Sequence, residues 1–266
     1  VFTDRTGPQW LLGPLESWER KKIVLSSGCE KEKETKMKSL TKRAVPYLLI
    51  STLVLLALPM WAADKSSDEQ TLRNAATVLQ AMLSSKDIPS GVVAKADCII
   101  ILPSVKKFAV GIGGTGGRGP MSCRTGKNFN GPWSAPAMYS IGGASAGLQL
   151  GGTASDIILL VMASSAVDKV LDSKVKIGTD ATAAAGPGAS AGMTGGADIL
   201  TYSRTKGLFA GISLNGASLD PATDANQRLY GQDLTARQIV TGNTKPTSAG
   251  QALVSVLDSK GPKHSD

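Results

Sequence analysis

Twenty-two of the thirty glycines in this chain fall between Gly111 and Gly216, and that clustering limits the possible folds more than any other feature. A glycine every few residues interrupts each short run of small and β-branched side chains. No apolar stripe at helical spacing survives there, so a β-rich core follows. Glycines inside strands mark sharp bends or places where two backbones approach closely. The same punctuation spells enzyme motifs by composition alone. Gly111, Gly113 and Gly116 read G-x-G-x-x-G, while Gly143-Ala144-Ser145-Ala146-Gly147 and Gly188-Ala189-Ser190-Ala191-Gly192 both read G-x-S-x-G.

Each motif stands or falls on what its chemistry requires. A dinucleotide fingerprint needs a helix N-terminus facing the pyrophosphate, and Gly117-Arg118-Gly119-Pro120 cannot start a stable helix. The segment reads instead as a glycine-rich strand turn. A G-x-S-x-G serine becomes a nucleophile only beside a base, and the sole histidine, His264, lies in a polar tail. Ser145 and Ser190 therefore read as structural, no catalytic residue is assigned, and a serine hydrolase is the weakest functional reading. Beyond residue 63 the chain has one Glu, one His and two Cys, with no zinc-ligand spacing. No metal or cofactor is expected. Asp220, Asp224 and Asn226 lack a calcium-loop pattern and read as caps for the segment leading to Tyr230.

Lys38, Lys42 and Arg43 precede an apolar run at 45–58 that ends in Pro59-Met60-Trp61-Ala62-Ala63. Residues 37–63 thus have the charged, apolar and small-residue regions of a secretory signal. Residues 1–36, which begin with Val and show no apolar periodicity, read as a mis-assigned upstream leader. The alternative is an uncleaved membrane anchor over 44–63, just long enough to span. Two prolines and the small-residue exit favour cleavage, leaving 64–266 as one secreted or periplasmic domain with C-terminal helices and a short tail. Without its first 63 residues the chain has nineteen Lys/Arg against fifteen Asp/Glu, a net +4 rather than +8. That bias is too small to indicate nucleic acid, though gathered on one rim it suits an anionic surface. Cys98 and Cys123 form an even pair in a compartment that permits disulfides. A bridge and two buried free thiols both fit, because sequence does not supply the Cα separation.

Ser67-Asp68-Glu69-Gln70 reads as a capping box ahead of Leu72, Ala75, Ala76, Leu79, Met82 and Leu83, predicting an amphipathic helix over 67–85. A continuous aliphatic run at 97–102 is closed by Pro103, and Phe108, Val110 and Ile112 alternate with small residues as consecutive strands do. Further strands are expected at 121–124, 137–141, 145–150, 157–162, 174–177, 197–204 and 208–214. Ser164 is placed to cap a short helix through Leu171, and two more helices, at 234–240 and 248–257, close the domain. The fold class is β-rich α+β: a glycine-rich, antiparallel, barrel-like sheet with flanking helices.

Lys95, Lys106 and Lys107 flank the first strand pair, Arg118, Arg124 and Lys127 the next, and Arg204 and Lys206 a later turn. Each taken singly reads as scattered solvated charge, while their shared location at strand ends would let them build one positive rim. Several segments carry a wider likeness. They are Ile101-Leu102-Pro103-Ser104-Val105, Gly131-Pro132-Trp133-Ser134-Ala135-Pro136, Gly147-Leu148-Gln149-Leu150-Gly151 with Asp156-Ile157-Ile158-Leu159-Leu160, and Ser203-Arg204-Thr205-Lys206-Gly207-Leu208-Phe209-Ala210-Gly211-Ile212-Ser213-Leu214, followed by Asn226 and Tyr230-Gly231, so the likeness covers about Ser67 to Gly231. In this order and spacing the chain resembles the SYLF lipid-binding domain family, known from bacterial secreted proteins and from eukaryotic adaptors that bind phosphoinositides and actin.

The resemblance implies a compact β-rich fold and non-enzymatic binding to membranes through an N-terminal amphipathic segment and nearby basic residues. On this reading the protein is a lipid-binding module of the cell envelope. Leu72, Leu79 and Met82 meet acyl chains, and Lys106, Lys107, Arg118, Arg124, Arg204 and Lys206 meet anionic head groups. The ordinary alternative for the helix is that its apolar face packs on the sheet. The alternative function is a structural or protein-interaction domain of the envelope, acting through the region of Trp133 and Tyr139. Actin is not expected as a partner of an exported protein.

Overall fold

The computed structural model describes residues 59–263 apart from 111, 147–150, 187–195, 206–207, 211–213 and 215. The expected leader at 1–36 and the apolar run at 45–58 lie outside the described residues, as do Ser190, Lys206 and His264. Four long strands form the centre: β1 (Cys98–Val110), β2 (Ile112–Cys123), β3 (Ala137–Ala146) and β4 (Gly151–Val161). The shorter β5 (Val175–Lys176), β6 (Ala183–Ala185), β7 (Ile199–Thr205), β8 (Leu208–Ala210) and β9 (Ser218–Pro221) complete a curled half-barrel. Its order is β5-β9-β3-β2-β1-β4-β7-β6, with β8 beside β7, and among the described strand pairs only β6–β7 is parallel. The expected strand at 145–150 is not separate, since Ser145 and Ala146 finish β3 and 147–150 lie outside the described residues. Of the expected strand at 208–214, only β8 is described in extended form.

Pro103 does not close the first strand. The β1–β4 register shifts between Leu102 and Val105, and the β1–β2 register between Ile100 and Lys106, so a bulge absorbs the proline and β1 continues to Val110. A bulge tolerates proline because its residues need not donate to the ladder. Ser104 takes a positive φ of 57° there, and its N–H donates to Asp156 Oδ1 at 2.9 Å. Passing this irregular stretch requires β2 to come unusually close. A Cβ on Gly119 would lie 1.8 Å from the Ile101 carbonyl oxygen, so only glycine fits.

Helices cover both faces of one half of this sheet. On one face Cys98, Ile100, Leu102, Tyr139, Ile157 and Leu159 pack against α3 (Ser164–Asp172) and α5 (Ala236–Thr241). On the other, Ile99, Ile101, Ile158, Leu160 and Tyr202 pack against α1 (Pro59–Ser84), α2 (Ser90–Ala94) and α6 (Ser248–Lys260). A smaller cluster joins Leu72 and Met138 to Leu229 of α4 (Thr223–Tyr230). The alternation of β1 thus serves two cores at once, which is why 97–102 reads as an unbroken apolar run.

Helix boundaries differ from expectation for local reasons. α1 begins at Pro59, where the fixed φ of proline suits a first turn, so Ser67-Asp68-Glu69-Gln70 lies inside the helix and forms no capping box. Thr71 Oγ1 donates to the Ser67 carbonyl at 2.9 Å, an interior pattern. Ser164 is the first residue of α3 rather than its cap, and its hydroxyl donates to Asp97 Oδ2 at 2.9 Å. The capping box that does form is Thr235 with Gln238, at the start of α5.

Cys98 and Cys123 are registered opposite each other at the covered end of β1 and β2 and are joined as a disulfide. Reduction is expected to lower the unfolding free energy by about 2 to 4 kcal/mol, through the freedom regained by the unfolded chain. Urea unfolding with and without reductant, read by circular dichroism, checks it. Leu79 is fully buried between α1 and the sheet, so Leu79→Ala should cost about 2 to 5 kcal/mol in the same assay. Gly119→Ala should cost about 3 kcal/mol through forced overlap. Gly116→Ala, with nothing within 4 Å of its added methyl, should leave the unfolding midpoint close to that of the unaltered protein.

Candidate functional site: the uncovered end of the sheet

Among the described residues, helices pack against β1 up to Val105 at the end of the bulge, and no helix packs against it beyond. Past the bulge, the register sets Ala154, Lys106, Gly116 and Gly142 in one row across β4, β1, β2 and β3, and Gly152, Phe108, Gly114 and Ala144 in another. Val105 belongs to the core on the α3 side, so Lys107 shares that face and Lys106 lies on the α1 side. Gly152, Thr153 and Ala154 are exposed in succession, which leaves both faces of β4 open there. Gly116 and Gly142 have nothing within 4 Å of where a Cβ would stand. Their lack of a side chain therefore relieves no crowding, in contrast to Gly119. It leaves a flat floor of backbone and small groups in which Lys106 is the only charged residue of its row.

Lys106 is exposed and Lys107 half-buried, and neither has an ion-pair partner among the described residues. Burial lowers the pKa of the Lys107 ammonium below its ordinary value. Arg118 lies on the α1 face of β2, 60% exposed, with Asp68 Oδ1 at 4.0 Å. Asp68 itself is buried and held mainly by Arg228 Nε at 2.8 Å. Arg118 thus keeps much of its charge free for an external partner.

The other predicted contacts do not join this group. Leu72, Leu79 and Met82 are fully buried, so the apolar face of α1 is spent on the cores and offers nothing to acyl chains while the helix is docked. Arg204 is 22% exposed and its Nη2 lies 2.8 Å from Asp87 Oδ2 and 2.9 Å from Ser85 Oγ, tying β7 to the end of α1. Arg124 is 5% exposed and stacks over the Trp133 ring. It adjoins Cys123, at the far end of β1 from Lys106, roughly 25 Å away at ~3.3 Å per residue. Lys95 and Lys127 share that far end, so the expected single rim is two separate groups. Tyr139 is also no surface residue, since it is fully buried and its hydroxyl donates to the Val170 carbonyl at 3.1 Å.

The motif residues fall where strand structure puts them. Ser145 pairs with Gly113 within β3, not at a strand-to-helix elbow, and Gly113 and Gly116 lie inside β2. Gly111 lies outside the described residues. Asn226 is no cap: fully buried, it accepts from the Met138 N–H at 2.6 Å and locks α4 to β3. Among the described residues no three His, Cys, Asp or Glu side chains converge as a metal site, and no helix is long and apolar enough to cross a membrane.

Residues 142–260 match a family model described as Ysc84, the Las17-binding protein actin regulator. An SH3 domain-containing protein of Schizosaccharomyces pombe is 33% identical over 189 residues, covering 68% of this chain and 43% of its own length. LAS seventeen-binding protein 3 of Saccharomyces cerevisiae is 31% identical over 181 residues, 65% of this chain and 39% of its own. The human SH3 domain-containing YSC84-like protein 1 is 32% identical over 180 residues, 65% of this chain and 52% of its own. The chain therefore spans about half or less of the length of these relatives. With the glycine-rich half-barrel and its order of segments, these matches show that the chain carries a domain of the Ysc84, or SYLF, family.

Proposed function

We propose that this domain is a non-enzymatic binding module that docks on an anionic membrane surface through the uncovered end of its sheet. The observation that carries the proposal is the row Ala154, Lys106, Gly116 and Gly142, where a lysine without an ion-pair partner among the described residues stands on a floor of small residues beyond the helices described. Glycine kept where no crowding demands it fits a place where another surface comes close. Lys107 on the opposite face and Arg118 on the same one add charge at that end. In the sequence Phe108, Val110 and Ile112 follow the lysines, so apolar residues succeed basic ones as they do in many segments that meet a bilayer surface. The site differs from a helix-first reading because α1 is committed to the core.

A second reading has the same end contact an acidic protein surface. It is favoured by the matched family's description as an actin regulator and by relatives named for binding Las17. Export to the cell envelope, proposed from residues 37–63 alone, favours the membrane, whereas residence in a cytoplasm with actin filaments favours the protein partner.

Each basic residue held near an anionic bilayer contributes about 1 kcal/mol, so removing two should weaken binding about thirtyfold. Lys106→Glu with Lys107→Glu should lose at least that much on phosphatidylserine-containing vesicles at ~0.1 M salt, where screening acts over about 10 Å. Neutral phosphatidylcholine vesicles should bind neither protein. Co-sedimentation, with thermal melts to confirm folding, makes the measurement, and Lys95→Glu at the far end serves as the control. Undiminished vesicle binding by the folded double variant excludes this surface. Binding to actin filaments in place of vesicles selects the second reading.

A further inference from the structure

A second feature lies at the opposite end of the molecule. Beyond Cys123 the chain makes a tight loop, closed by Thr125 N–H to the Pro132 carbonyl at 2.8 Å and Gly131 N–H to the Thr125 carbonyl at 2.7 Å. Arg124 and Trp133, facing each other as an isolated bridge across this loop, stack with the guanidinium carbon 4.4 Å from the ring centre. The end of α6 comes back over them, and Arg124 Nη2 donates to the Pro262 carbonyl at 2.6 Å. Between the loop and this returning strap is a cavity of about 540 Å³ lined by Arg124, Trp133, Asp258, Pro262 and Lys263. That volume is typical of small-ligand sites.

The guanidinium in its wall is incompletely used. Arg124 is 5% exposed, and its Nε has no hydrogen-bond partner among the described residues. A buried donor without an acceptor is rare enough to require a reason. Guanidinium presents its donors as a planar fork that matches the two oxygens of a carboxylate. The Pro262 carbonyl, with one oxygen, occupies one tine and leaves Nε empty. Burial lowers the Arg124 pKa while the nearby charges of Asp97 and Asp258 oppose that shift. Those same two acids would repel a dianion, so a group with a single negative charge fits better than a phosphate.

We infer that this cavity is a carboxylate-binding site in which a ligand's carboxylate displaces the Pro262 carbonyl and engages Arg124 Nε and Nη2 together. The carboxylate comes from a small organic acid or from the C-terminus of a peptide, and the two sources are separable. The site shares no residue with the uncovered sheet end, so its failure would leave vesicle binding untouched, and the reverse holds as well.

The test is the arginine Nε–Hε correlation in the NMR spectrum of the ¹⁵N-labelled full chain. The Arg124 peak is assigned by its loss in Arg124→Lys or, if that variant does not fold, by its proximity to the Trp133 indole. Sodium acetate, methyl phosphate, and trialanine as free acid or amide are titrated against sodium chloride of equal ionic strength. Acetate or the trialanine acid should shift the peak saturably, and methyl phosphate should bind at least tenfold more weakly. The amide should have no effect. Saturation by the acid at a concentration at least tenfold below that for acetate identifies a peptide terminus, and equal affinities identify a small organic acid. A peak that moves no further than in chloride, or that responds best to methyl phosphate, overturns the assignment.

Discussion

The break in β1 at Pro103 and Ser104 is the feature on which the rest of the molecule depends. The Ser104 N–H, displaced from the ladder, is satisfied by Asp156 of β4, so that donor is not left unpaired. Because the break is pinned, the strand before it can be apolar on both faces and sandwiched by helices, while the strand after it need not be. Gly119 lets β2 follow the irregular course, with its α-carbon against the Ile101 carbonyl. A regular β1 would put Pro103 in a ladder position it cannot fill and would extend the covered core into residues that carry lysines.

Much of the covered half was legible in the sequence because two-sided burial leaves a strong trace. The aliphatic run at 97–102, the α3 stripe of Val167, Val170 and Leu171, and the spacing of α6 all follow from apolar contact with the cores they form. What escaped notice was set by long-range partners. Pro103 looks like an end unless Asp156, fifty-two residues after Ser104, is known to receive the displaced N–H. β6 and β9 are three and four residues long and owe their extended form to pairing with β7 and β3, so their own residues signal little. Asn226 and Arg204 look like surface polar groups until Met138 and Asp87 are brought to them.

The candidate site was legible in part for the same reason. Lys106, Lys107 and Arg118 are conspicuous in a glycine-rich stretch; the two lysines lie beyond the bulge and Arg118 opposite it, beside Asp68 of α1. The division of the basic residues into two distant groups depends on strand direction, which composition does not show. The amphipathic stripe of α1 was correctly placed, but periodicity reports only that one side of a helix is apolar, not whether protein or lipid covers it. Here the protein does, through Leu72, Leu79 and Met82. In the Ysc84-family relatives this domain accounts for about half of a longer chain or less, and several of those relatives are named for an SH3 domain as well. Among the described residues of this chain, the helices pack on one half of the sheet, and the other half presents a basic, glycine-floored end.

The central claim is that the uncovered sheet end makes contact while α1 stays docked. Backbone hydrogen–deuterium exchange with and without phosphatidylserine-containing vesicles tests this directly, because it reads each segment separately in the unaltered protein. The account predicts slowed exchange in 106–118, 142–146 and 152–155 on vesicle addition, with amides of 72–82 unchanged and already slow. Faster or newly protected exchange across 72–82, with the sheet end unaffected, would show that α1 leaves the core to enter the bilayer and would contradict the account.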